Sequence, residues 1–135
     1  MRILLGALCL VAATACVEKS PAGPTAPLNQ QFTLRRGETV SINGTSVRLQ
    51  FMEVTGDSRC ASDVMCIQAG DAIVHVRALD GAAVADYELH AGDSSRSAAS
   101  HRQLRIELVQ LDPYPVSTRP IGQDDYRATL RVIAS

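Results

Sequence analysis

The chain has no tryptophan, three tyrosines and two phenylalanines. That leaves it without the aromatic platforms on which single-stranded bases stack. Neither sign of charge dominates: thirteen Lys and Arg stand against fourteen Asp and Glu, for a formal net charge of −1. The charges are scattered, so there is neither a basic field for nucleic acid nor an acidic tail. No Gly-x-Ser-x-Gly turn supplies an activated serine, and no Cys-x-x-Cys pair marks a redox or metal centre. Apolar residues nowhere recur at helical spacing over three turns; a single turn around Ser62 to Ile67 is the exception the pattern allows. These absences leave no catalytic set and no cofactor, and the expectation is a protein that is not an enzyme.

What is present begins with an address. Arg2 precedes an uncharged apolar run from Ile3 to Ala13, and small residues Thr14 and Ala15 stand directly before Cys16. This is an export signal over residues 1–15, too short for a bilayer span, which needs about 20 apolar residues. Ala13-Thr14-Ala15-Cys16 resembles the lipobox of bacterial lipoproteins, with Ala where Leu is usual at its first position. The resemblance implies that Cys16 carries the lipid, palmitate among its acyl chains, and becomes the new amino terminus. The alternative is an ordinary signal peptide that leaves Cys16 as a free thiol. Cysteine parity favours the lipid: Cys9 leaves with the signal, Cys16 is acylated, and Cys60 and Cys66 remain as an even pair in an oxidising compartment. The expected location is the bacterial cell envelope, anchored to a membrane and facing the periplasm or the outside.

Residues 16–29 hold the attachment cysteine and then Pro21, Pro24 and Pro27 among Ala, Ser and Thr. Such a composition favours extended conformations and reads as a tether reaching up to about 40 Å. Residues 30–135 suffice for one small domain. Its strands read as period-two segments: Gln31 to Arg35, Thr39 to Asn43, Thr45 to Val54, Ala72 to Leu79, Ala82 to His90, Gln103 to Leu111 and Asp125 to Ala134. Asn43-Gly44 and Asp80-Gly81 mark two hairpins. With Asp80 and Gly81 as loop residues, Val76 falls opposite Ala85, Val74 opposite Tyr87 and His75 opposite Asp86. The pattern slips between Phe51 and Val54, which suggests a bulge or a strand end just before Thr55-Gly56. Gly92 to Ser100 reads as a loop, and the prolines of Asp112 to Pro120 bar that connection from a central strand position. About seven short strands predict an all-β antiparallel sandwich, with a small barrel as the alternative.

The densest special chemistry lies between the two hairpins, from Asp57 to Asp71. A structural disulfide is the plain reading of Cys60 and Cys66; a redox or metal pair is the other. Asp57, Asp63 and Asp71 are either turn-capping residues or oxygen ligands for a hard cation. Arg59, next to Cys60, could offer a preorganised basic side chain to a trypsin-like pocket, the alternative function being that of a protease-inhibitor-like loop protein. Placing His75 opposite Asp86 sets up half of a hydrolase triad without its nucleophile, or else an exposed cross-strand pair.

This stretch also resembles a group of uncharacterised bacterial secreted and lipoprotein domains recognisable by Asp-Ser-Arg-Cys-Pro, Asp-Val and Cys-Ile-Trp-Ala-Gly. The matching residues are Asp57, Ser58, Arg59, Cys60, Asp63, Val64, Cys66, Ile67, Ala69, Gly70 and Asp71. A looser likeness runs through the Gly37 turn, Leu111 to Pro115 and Tyr126 to Leu130. The resemblance implies an envelope β domain with a disulfide and implies no activity. Ala61 stands where Pro is usual and Gln68 where Trp is usual, a departure that weakens any ligand surface built on that aromatic; Arg59 and Gln68 are the candidate partner-binding residues. The expected role is binding or structural support.

Overall fold

The computed structural model describes residues 23–135. The export signal and Cys16 lie outside the described residues. Among those described, nine strands form two open sheets: β1 Thr25–Ala26, β2 Gln31–Arg35, β3 Thr39–Ile42, β4 Val47–Asp57, β5 Ala72–Asp80, β6 Ala83–His90, β7 Ala98–His101, β8 Leu104–Asp112 and β9 Arg127–Ala134. One sheet runs β1-β3-β4-β5-β6 and the other β2-β9-β8-β7. The fold is therefore the expected antiparallel sandwich and not a closed barrel; only β1 and β3 pair in parallel.

Period-two alternation makes the sandwich. Along β5, Ala72, Val74, Val76 and Ala78 are wholly buried while the residues between them are half-exposed. Along β9, Ala128, Leu130 and Val132 point into the same core. Phe51, Leu49 and Leu89 from one sheet meet Leu130 and Ile106 from the other in a single cluster. Each such side chain contributes about 1.5–3 kcal/mol on leaving water. The bulge foreseen after Phe51 is present, a register shift between Phe51 and Glu53.

Four features differ from the sequence expectation. First, there are nine strands, not seven. β1 lies in the segment read as tether, where Ser41 N donates to Pro24 O at 2.9 Å and Ala26 is 1% exposed. An extended Pro-Thr-Ala backbone is already close to strand geometry, and one small apolar residue fills the edge site, so the fold begins before residue 30. β7 lies in the presumed loop, where Ser and Ala give too weak an alternation to read. Second, the β5–β6 turn residues are Gly81, at φ +60°, and Ala82, because Asp80 stays in the ladder opposite Ala83. Partners therefore shift by two: Val76 faces Tyr87, Val74 faces Leu89, His75 faces Glu88, and Asp86 faces Arg77. A shift of two keeps every side chain on its face, which is why the core was foreseen although the pairs were not. Third, Ser62 to Ile67 forms no helical turn. Fourth, the cysteine stretch joins neighbouring strands of one sheet, β4 and β5, so the two hairpins are one continuous meander.

Candidate functional site

Two long connections of equal length meet at one end of the sandwich. Residues 58–71 join β4 to β5, and residues 113–126 join β8 to β9 in the other sheet. Neither connection has regular structure beyond a short 3₁₀ turn at Gln123–Asp125, so each needs partners for its backbone groups, and they supply them to one another. Ser62 N donates to Pro115 O at 2.9 Å, and Ser117 donates through N and Oγ to the Asp63 carboxylate at 2.9 and 2.5 Å.

Arg59 is the centre of this junction. Its Nε and Nη2 donate to the two oxygens of Asp57 at 2.8 and 2.7 Å, Nη1 donates to Leu111 O at 2.7 Å, and Nη2 reaches Pro113 O at 3.0 Å. The Tyr126 hydroxyl donates to Asp57 Oδ2 at 3.0 Å, and the guanidinium carbon lies 5.2 Å from the centre of the Tyr114 ring. The side chains of Arg59 and Asp57 are 5% and 10% exposed. The end of β4, the cysteine connection and the end of β8 are thus tied by one planar cation, which fits a bidentate carboxylate and two carbonyls as an ammonium could not, and Tyr126, just before β9, joins them through Asp57. Burial by itself pushes the Asp57 carboxyl up; the hydrogen bonds and charge of Arg59, with the Tyr126 hydroxyl, outweigh it and hold Asp57 below the usual carboxylate range. Burial, helped by the Asp57 hydrogen bond, pushes Tyr126 up to about 12.

This placement removes Arg59 from the surface. The inhibitor idea needs a basic side chain projecting at a loop tip, and here it is buried and fully engaged within the fold. Arg59 seats the loop, its guanidinium taken up by Asp57, Leu111 O and Pro113 O. Gln68, by contrast, is exposed.

Beyond Arg59 the connection is closed by the expected disulfide between Cys60 and Cys66, whose seven-residue ring contributes at most about 2.4 kcal/mol by chain entropy. The ring is too small to fold its own side chains inward. Val64 and Met65 inside it consequently stand 46% and 101% exposed, and Ile67, the first residue past Cys66, is 104% exposed. Across the junction Tyr114 and Val116 are also exposed, at 56% and 41%, and an open groove of about 370 Å³ lies beside them against Arg119 and Ile121. Among the described residues, five of the seven exposed large hydrophobic ones thus sit on these two interlocked connections, whereas single exposed ones need no explanation.

The remaining candidates separate. Asp57, Asp63 and Asp71 do not converge on a cation site, and no cluster of three metal-ligating side chains exists among the described residues. Each aspartate has its own structural work: Asp71 accepts from Ala72 N and Gly92 N at 2.8 and 2.7 Å and meets His90 Nδ1 at 2.5 Å. Nor do His75 and Asp86 form a pair. Asp86 is held bidentately by Arg77 at 2.7 and 2.9 Å. His75 Nε2 contacts Thr55 Oγ1 at 2.5 Å and lies 4.0 Å from Glu88, through the same nitrogen, so no relay passes through the ring.

Sequence reasoning missed Met65, Ile67 and Tyr114. A signal was available: an apolar residue inside a ring of seven, as Met65 is, cannot be core, and Ile67 just past the ring and Tyr114 in a Pro-rich connection have no strand to join. Comparison with family models, with curated proteins and with solved structures found no match for this chain.

Proposed function

We propose that this is a lipid-anchored protein of the bacterial cell envelope whose β domain works by contact, as a binding or supporting module, without catalysis or cofactor. The observation that carries the reading is the apolar tip: Met65 and Ile67 stand in water in full, on a loop fixed by a disulfide and by the Arg59 junction. A fold exposes such a surface when something else is to cover it. The Ala13 to Cys16 motif supports the anchor, and the even pair of remaining cysteines, joined in the fold, supports an oxidising compartment.

The anchor is tested by the mass of the mature protein. Expression in a bacterial host is expected to give a chain beginning at acylated Cys16 and recovered with membranes. Cys16→Ser is expected to release it to the soluble fraction, since two or more acyl chains are what hold a protein on a bilayer. An unacylated Cys16 overturns the anchor reading.

A further inference from the structure

We propose that the disulfide-pinned tip dips into the same lipid layer that holds Cys16, giving the domain a second, non-covalent foot on its membrane. The inference rests on the lipid-anchor reading above. Three observations favour lipid as the occupant.

The first is the direction and reach of the chain. β1 runs parallel to β3, and β3 antiparallel to β4, whose last residue, Asp57, opens the cysteine connection. The described chain therefore enters the sheet heading away from the tip end. Thr25 lies opposite Ser41, and Ser41 opposite Arg48. The interval from Arg48 to Asp57 equals the interval from Cys16 to Thr25, each about 30 Å at strand spacing. An anchor at Cys16 thus has the length to put the bilayer at the tip end, at the high effective concentration a short tether gives.

The second is shape and chemistry. The tip presents side chains and not a cavity, with Met65 and Ile67 wholly exposed and Val64 beside them. Irregular backbone does not enter hydrocarbon, so only these side chains go in, to the shallow headgroup and acyl boundary. Tyr114, 56% exposed next to the tip, has the apolar ring and polar hydroxyl suited to that boundary. The tip is already ordered by the disulfide and by the Ser62 and Asp63 hydrogen bonds to the second connection, so little ordering remains to oppose insertion.

The third is charge. Arg59 is internal and Asp63 is bound to Ser117, and the cysteine loop from Cys60 to Asp71 carries no Lys or Arg; the exposed Arg119 stands on the neighbouring connection, beside Tyr114. Insertion is apolar, and neutral phosphatidylcholine is the appropriate surface. Each side chain of this size shifts a water-to-apolar partition by about tenfold or more.

The absence of tryptophan makes the test clean. Ile67→Trp, Met65→Trp and, as reference, Val84→Trp each place one reporter at an exposed position. Val84 lies opposite Leu79, at the end of β5 far from the tip. The mature chain is coupled through Cys16 to a maleimide lipid in phosphatidylcholine vesicles, with and without brominated acyl chains. The expected result is quenching of the Ile67→Trp and Met65→Trp emission by about twofold, unchanged in high salt because charge screening is not involved, with no quenching of Val84→Trp. Emission at the tip that stays at the Val84→Trp level overturns the inference. Chemical coupling supplies the tether, so that failure concerns the tip alone; a failed anchor shows separately, as unacylated Cys16 in cellular protein.

Discussion

Replacing Arg59 with methionine is expected to destabilise the domain by about 3–5 kcal/mol, because it leaves a buried carboxylate without its cation. The loss reaches further than one pair: with the guanidinium go the bonds to Leu111 O and Pro113 O, and both connections lose their common tie. Against a total stability of about 5–15 kcal/mol this is a large fraction. Urea unfolding with and without the substitution measures it, and Asp57→Asn combined with Arg59→Met separates the mechanisms. The double variant should lose less than the sum of the singles, since removing both charges leaves none unpaired. The pH dependence has a definite sign. In the native protein the Asp57 carboxyl lies below its unfolded value, so its contribution is complete above about pH 4 and is lost as pH falls through the folded value. In Arg59→Met, desolvation without a cation raises the folded value above the unfolded one, and stability is lost as pH rises. The gap between the two proteins should therefore widen from pH 4 to pH 7; a constant gap would show that Arg59 acts by packing alone.

Replacing Gly70 with alanine is expected to be comparably damaging, for steric reasons. A Cβ at Gly70 would stand 1.5 Å from Ser58 O and 2.9 Å from Arg59 N, and these are backbone atoms that no rotamer change can move aside. Ser58 N is itself bonded to Asp71 O at 2.7 Å, so the two ends of the connection lie against each other with no space between them. The neck must open, which displaces Arg59 from Asp57. A cost of about 3 kcal/mol or more follows, at the upper end for overpacked sites. Thermal unfolding reads the effect; Ala69→Gly, at an exposed neighbour, is expected to change it by less than about 1 kcal/mol.

The two substitutions show where the sequence was legible. Alternation along β4, β5, β8 and β9 identified the core because a sheet with one buried face imposes a period of two that any register must respect. Register itself was less legible: Asp80 is held in the ladder by a hydrogen bond from Ser46 Oγ at 2.7 Å and an ion pair with Arg102 at 2.8 Å, both partners distant in sequence. The same reason hid the role of Arg59. Its neighbours in the chain, Ser58 and Cys60, suggest an exposed loop cation, while its true partners Leu111 and Pro113 are brought to it by the other sheet. Gly70 carried no sign of a close approach, since the carbonyl it touches belongs to the opposite end of its own loop. The tip was legible in principle, because a seven-residue ring cannot bury Met65, and Ile67 just past it has no strand to join.

The cysteine loop is a prebuilt apolar surface held up by Arg59, and lipid is its proposed cover in the cell. The most direct measurement places a photo-crosslinking amino acid at position 67 of the full chain in intact bacteria, with position 84 as reference. Attachment to phospholipid at 67 and to water alone at 84 is the result expected. Attachment at 67 to a protein, or to water as at 84, contradicts it.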